Sequence, residues 1–393
     1  MQYTNHSIQS LANYHKARMS EHIDKLNELN KHSSLKEKLA GTHQAIKKSM
    51  PFIARIAIAI YDPSTRTLKT FVHSSDNENP LENYQSSIDE APSLKKIIEK
   101  GLPRVINNMV TFDNGTNEHT KRIGRSGYAA SYTIPMFNDA NFFGFIFFNS
   151  FETDVFNEQN LNEIDIFGHL ISLMIINELS NIQTLSAALK TTSKITHLRD
   201  PETGSHLDRM SRYSRLIASS LAKKYNLSDD YIEHIFMFSP LHDIGKIGIP
   251  DRILMKPGKL TQDEMKIMKT HAIKGRKIID EILSNFGLSD INHIDMLKNI
   301  IEFHHESVNG TGYPDHKKGT DIPLEARIVA TADIFDALTS KRPYKEAWSN
   351  EAAFDALQKL VGEKLDQDCV NALLDNIKEI EIIQQHFKEN LYG

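Results

Sequence analysis

Over roughly the first 48 residues, Leu11, Ile23, Leu26, Leu29, Leu35 and Leu39 recur at near-helical spacing in a polar background. This pattern predicts one or two amphipathic helices. Short apolar runs follow. Residues 52–61, rich in Ile and Ala, end at the turn signal Asp62-Pro63, and a second strand-like run covers 68–73. A helical stretch is expected around 93–100. Residues 128–136 and 141–149 read as two strands joined through Phe137-Asn138-Asp139-Ala140, which suits a hairpin turn. Asn157 is placed to cap a helix with Leu161, Ile164, Phe167 and Leu170 on its apolar side. Strands interleaved with helices, closed by a hairpin and a long helix, describe an α+β domain.

The last of these helices runs on through Ile171, Ile175, Ile182, Leu185 and Leu189, the a and d places of imperfect heptads interrupted at Glu178. Two readings of that stripe stand side by side: a parallel seam between two chains, and a single helix packed on its own domain. Beyond residue 190 strand alternation stops and helical spacing recurs, as in Ile278, Ile279, Ile282 and Leu283, so the second half is expected to be all helical.

A length of 393 residues exceeds one ordinary core and predicts two domains. The apolar and charged fractions, 40% and 25%, are those of a globular protein. A net charge of −5 advertises no duplex nucleic acid as partner. One cysteine, Cys369, excludes an internal disulfide framework and a cysteine-based zinc site. The opening MQYTNHSIQS lacks the pattern of a signal peptide, and the apolar runs at 142–148 and 171–176 are too short to span a bilayer, so a cytoplasmic location is expected. Eighteen histidines are spread over both halves, and only position singles some of them out. His73, His119 and His169 stand alone.

The second half carries the chemistry. Glu202 and His206, four apart, share one face if their segment is helical, a spacing that holds transition metals in helical bundles. His242-Asp243 offers an imidazole and a carboxylate to one ion, or a carboxylate shared by two, and Lys246 follows one turn later. His271 precedes an amphipathic helix. His304-His305-Glu306 closes an apolar one, and adjacent helical positions point about 100° apart, which suits two different metals. Gly310-Thr311-Gly312-Tyr313-Pro314 is a shaped loop presenting Tyr313. Asp333 lies within an apolar helix, where a lone carboxylate is costly and is therefore paired or metal-bound. Asp336 lies one turn on, and Arg342 and Lys345 place two cations three apart.

In this order, E-x-x-x-H, HD-x-G-K, a lone His, HHE, GYP and D-x-x-D-A-L-T-x-x-R-P-Y-K resemble the HD-GYP family over about residues 190–385. The element order over about 35–180 is similar to a GAF domain. The implied architecture is multidomain: an N-terminal helical segment (1–34), an α+β GAF-like regulatory domain (35–180), a linker helix (181–196) and an all-α HD-GYP helical bundle (197–393). The resemblance implies that Glu202, His206, His242, Asp243, His271, His304, His305 and Asp333 hold metal. It also implies that Asp243 is shared between ions and that Glu202 completes a trinuclear rather than dinuclear set. Asp243 and Lys246 then serve catalysis, Tyr313, Arg342 and Lys345 contact a dinucleotide, and Asp336 faces phosphate or supports a ligand.

Imidazole and carboxylate without thiolate suit iron first, manganese second, with zinc still open. The implied reaction is hydrolysis of cyclic di-GMP by a metal-activated water to linear pGpG, with a second round giving GMP. The alternatives are 3′,3′-cyclic GMP-AMP as substrate, or a non-catalytic cyclic-dinucleotide sensor. An unknown small ligand at the GAF-like domain and a homodimer are the other expected partners. One departure is Asn309-Gly310, where the family usually has Asp-Gly; Asn supports the same left-handed turn.

Overall fold

The computed structural model describes residues 24, 26–27, 33–77, 79–109, 118–197, 204–288, 291–340 and 346–388. Most of the expected 1–34 segment lies outside them. The first described helix, α1 (Leu35–Lys47), opens on a reciprocal cap: the Ser34 hydroxyl accepts from the Glu37 amide, and the Glu37 carboxylate accepts from the Ser34 amide. Then come β1 (Arg55–Asp62), β2 (Thr67–Ser75), β3 (Gln85–Ser87), α2 (Pro92–Lys100), β4 (Arg104–Ile106), α3 (Glu118–Arg125), β5 (Ala130–Asn138), β6 (Asn141–Ser150) and α4 (Glu158–His197). The strands form one sheet in the order β3-β2-β1-β6-β5-β4, and every pairing is antiparallel.

Period-two alternation sorts the sheet into two faces. Ile56, Ile58, Tyr132, Ile134, Ile146 and Phe148 face α1 and α4, while Leu68 and Phe145 face α2 through Leu94 and Ile97. The predicted β5–β6 hairpin turns on Asp139 and Ala140, both at positive φ. Asn157 caps α4 as expected, its side-chain oxygen accepting from the Asn160 amide at 3.2 Å. Over its first three positions the heptad stripe belongs to the chain's own core. Ile171, Ile175 and Ile182 are all buried within this chain, so they are not a seam open to a second one. Leu185 and Leu189 fall where side chains are not described. α4 is continuous across residue 180, so the expected linker helix is its second half.

The second unit is helical: α5 (Gly204–Tyr225), α6 (Asp229–Phe238), α7 (Asp251–Leu254), α8 (Gln262–Lys269), α9 (His271–Phe286), α10 (Ile294–Phe303), α11 (Leu324–Thr339), α12 (Asn350–Leu360), α13 (Gln367–Leu374) and α14 (Ile377–His386). Its centre is α5, whose buried Met210, Tyr213, Ile217 and Leu221 pack among α6, α11 and α13. No described helix is long and apolar enough to cross a membrane.

The two units meet through a nearly dry cluster of charges. Asp62 accepts from Lys69 and from Arg212 of α5, each at 3.1 Å, and Lys69 is 4% exposed. Glu233 of α6 lies 3.9 Å from Lys69 and accepts from Arg215 at 2.5 Å. Asp229 accepts from the Asn83 amide at 2.7 Å, and the Phe71 ring stacks on His234. Burial pushes the Asp62 carboxyl up, but Lys69, Ser64 and Arg212 outweigh it and hold the group well below the usual carboxylate range.

Asp62→Asn leaves Lys69 and Arg212 facing a neutral amide. It is expected to cost about 3 kcal/mol of stability at pH 7. Because the folded-state pKa is the depressed one, the wild type's advantage is full above about pH 4 and shrinks as pH falls further. Urea melts of both proteins at pH 7 and pH 3 check this; an equal gap at both values is the contrary result.

Candidate metal centre

The site starts with a break in a helix. α6 tightens into a 3-10 turn at Ser239–Leu241, with Pro240 at its start, and a second 3-10 segment follows at Ile244–Gly248. His242 and Asp243 sit between the two. Gly245 then lies on α9 so closely that a Cβ would stand 1.8 Å from the His271 carbonyl oxygen and 2.5 Å from the Gly275 nitrogen. Two glycines therefore set the distance between Asp243 and His271, because any side chain would wedge the segments apart.

The histidines are oriented by the scaffold. Nδ1 of His242 donates to the Ser239 carbonyl at 2.9 Å, that of His271 to Met268 at 2.8 Å, and that of His304 to Ile300 at 2.9 Å. His206 Nδ1 donates to Asp336 at 2.7 Å. With Nδ1 tied to these acceptors, each ring directs Nε2 inward, the orientation of a metal-ligating imidazole. Nε2 of His271 and of His304 lie 3.1 and 3.6 Å from Asp243 Oδ1. Burial, reinforced by neighbouring histidines, pushes His304 and His305 down, so both rings are neutral. Burial opposes ionisation of Asp243, but Lys246, His242 and His271 hold its carboxyl well below the usual range. Lone pairs facing a carboxylate oxygen at such distances repel, and a bound cation is what reconciles them.

Two ligand sets result. In one, ligand atoms of Asp243, His271, His304 and His305 lie within 4.8 Å of one another; in the other, those of His206, His242 and Asp333 do. The Asp243 carboxylate joins them: Oδ1 faces His271 and His304, and Oδ2 lies 3.3 Å from His242 Nε2. The residues thus fit a metal cluster. Seven of the eight expected ligands are brought together; the eighth, Glu202, lies outside the described residues, as do Arg342 and Lys345. His206, His242, His271 and His304 are buried, while Asp243, Asp333, His305 and Tyr313 keep partial exposure and mark the open side.

Three expectations are corrected. α10 ends at Phe303, so His304 and His305 leave the helix, and both rings join one ligand set rather than serving two. Asp333 is not sealed in an apolar helix: its side chain is 21% exposed, with Oδ1 3.9 Å from His206 Nε2. Asp336 does not face a substrate. It is fully buried, and besides His206 it accepts from Arg209 at 2.6 and 3.0 Å and from Ser340 at 2.9 Å. It fixes the His206 tautomer.

At the open side, Lys246 Nζ lies 2.8 Å from Asp243 Oδ2. The Tyr313 ring packs 4.8 Å from that of His305, under Lys269 Nζ at 5.0 Å. Burial, followed by the charge of Asp243, pushes the Tyr313 phenol up, so it stays a neutral donor. The loop that carries it needs Gly312, where a Cβ would stand 2.3 Å from the Ser307 nitrogen. Arg209 and Lys269 were not singled out in the sequence, although Arg209, three residues after His206 on one helix face, could have been. Gly245→Ala is expected to cost about 3 kcal/mol and to lower metal content, read by thermal melting and elemental analysis; wild-type values in both would contradict the packing account.

Comparison with known proteins agrees with this geometry. Residues 193–369 match the family model described as HD domain. The cyclic di-GMP phosphodiesterase response regulator RpfG of Xanthomonas campestris is 46% identical over 189 residues, 48% of this chain and 47% of that protein. A cyclic di-GMP phosphodiesterase of Thermotoga maritima is 37% identical, covering 52% and 53%. The 3′3′-cGAMP-specific phosphodiesterase 2 of Vibrio cholerae is 35% identical, covering 58% and 43%. The chain spans about half the length of these curated relatives. Among solved structures, a GAF domain/HD domain protein from Geobacter sulfurreducens is 14% identical, covering 36% of this chain and 93% of that one, with a TM-score of 0.31. The match to the HD domain model thus falls on the helical half of this chain and takes in the ordered set of candidate metal ligands from His206 to Asp333.

Proposed function

We propose that the chain is a metal-dependent phosphodiesterase that opens cyclic dinucleotides, with cyclic di-GMP as substrate and linear pGpG as product. The observation that carries this is the pair of convergent ligand sets joined through Asp243, with Lys246 and Tyr313 at the open side. The relatives' names supply the substrate class, and they include enzymes for 3′3′-cGAMP, which stays the second reading. A non-catalytic sensor is disfavoured because no described ligand has been lost.

Bound metals would supply a water activated near neutral pH and charge neutralisation on the phosphoryl group. Imidazoles and carboxylates without thiolate suit iron, with manganese second. Asp243, ionised and central, orients both ligand sets. Lys246 places a cation beside it, where phosphoryl charge accumulates as the 3′ oxygen leaves. Tyr313 offers a neutral hydroxyl and a ring face to the nucleotide. Arg342 and Lys345 complete a phosphate clamp in this reading, on the strength of the sequence motif. Regulation would come from the GAF-like unit, where a cavity lined by Arg55, Arg104, Tyr84 and Leu94 suits a small ligand. The exposed Ile166 and Leu173 of α4 suit a second copy of the chain.

Reduced, anaerobically purified protein should linearise cyclic di-GMP faster than cyclic GMP-AMP in a side-by-side assay, with two or three irons per chain counted on the same sample. Asp243→Asn is expected to lower both turnover and metal content, and Lys246→Met to lower kcat about a hundredfold with metal retained. Full metal occupancy without turnover of either dinucleotide would sink the enzymatic reading.

A further inference from the structure

His206 is held by a relay that runs away from the metal centre. Its Nδ1 donates to Asp336, and Asp336 is gripped by Arg209, which is 5% exposed. The Arg209 guanidinium makes two more bonds: Nη2 donates to Ser340 at 2.7 Å, and Nη1 to the Phe387 carbonyl just beyond α14 at 2.9 Å. That C-terminal stretch is also tied down by Ser205, which donates to the Lys388 carbonyl at 3.2 Å. One turn further along α5, the Arg212 guanidinium lies 4.2 Å from the centroid of the Phe387 ring. Its Nη1 and Nη2 donate across to Asp62 at 3.1 Å and to Ser64 at 2.6 Å, both at the β1–β2 turn of the first unit.

Phe387 is therefore held at two points by two arginines with different outside partners. Its carbonyl serves the arginine behind a ligand, and its ring serves the arginine that reads the sheet. A guanidinium is planar with a fixed fork of donors, so Arg212 cannot follow a displaced turn and keep its stacking. Any shift of the β1–β2 turn reaches Phe387 through Arg212, then Arg209 through the carbonyl, then Asp336 and His206.

We propose that Arg209 is a positioning residue for His206, and that Arg212 and Phe387 make this position answer to the β1–β2 turn of the GAF-like unit. The inference rests on the reading of His206 as a metal ligand.

The test uses full-length, metal-free protein titrated with Co²⁺, reading affinity per site and the visible ligand-field spectrum, so no turnover is needed. Arg209→Met should weaken one site about ten- to a hundredfold and alter its spectrum, with Arg209→Lys restoring part of the loss. Arg212→Ala and Asp62→Asn should each weaken the same site by about two- to thirtyfold, and the double variant should be no worse than the weaker single. Arg66→Ala, which breaks an exposed pair with Asp89 near the same turn, should change nothing. Thermal melts confirm folding, and Ser340→Ala replaces Arg209→Met if the latter does not fold, with a smaller weakening expected. Wild-type affinity and spectrum in Arg212→Ala overturn the route from the sheet. The same result in the Arg209 variants, or in Ser340→Ala in their place, overturns the positioning role. A wild-type chain that takes up no Co²⁺ overturns the metal reading itself, and this inference with it.

Discussion

The proton on Nδ1 is the constraint on which the rest of the site depends. Three histidines donate it to the carbonyl of a residue three or four positions earlier, and the fourth donates it to a buried carboxylate. A ring so tied has one tautomer and one direction for its remaining lone pair. The carbonyls come from turns and helix ends, where each also accepts a backbone N–H: Ser239 from His242, Met268 from Thr270 and Ile300 from His304. The 3-10 turn before His242, the last turn of α8 and the end of α10 are thus part of the candidate metal centre, although they contribute no ligand. The segments around Asp243 must also lie close together, which is why glycine occupies both sides of the contact at Gly245 and Gly275.

The same logic explains the division between floor and mouth. Buried imidazoles whose Nδ1 is satisfied by a carbonyl or by Asp336 can be sealed in. Carboxylates are placed where water or a substrate reaches them: Asp243 beside Lys246, and Asp333 at the edge. Asp336 is the exception, a fully buried carboxylate satisfied from three sides by His206, Arg209 and Ser340. Truncating any one of these donors leaves charge in a low-dielectric place.

Most of this was legible in the sequence, for identifiable reasons. Period-two runs gave β1, β2, β5 and β6, and the Asn157 cap and the Asp139-Ala140 turn were read from local chemistry. The ligand types were legible because imidazoles and carboxylates recurred in a specific order. What failed were inferences that needed a helix to continue. His304 and His305 were assigned directions about 100° apart on a helix that in fact stops at Phe303. Asp336 was left open between facing phosphate and supporting a ligand, because helical spacing says which residues share a face, but not what covers that face. The stripe through Ile171, Ile175 and Ile182 left two partners open, since a heptad pattern looks the same whether it meets another chain or its own sheet.

The burial of that stripe has a consequence for modular exchange. With Ile171, Ile175 and Ile182 buried, α4 packs along its length both on β5 and β6 and on the 3-10 segments that flank His242 and Asp243. One residue added or removed within this stretch would rotate everything beyond it by about 100° and slide it by about 1.5 Å. The joint between the units is therefore a keyed shaft and not a tether. A foreign domain grafted onto this helical half would have to preserve both the length and the phase of α4, whatever signal it carried.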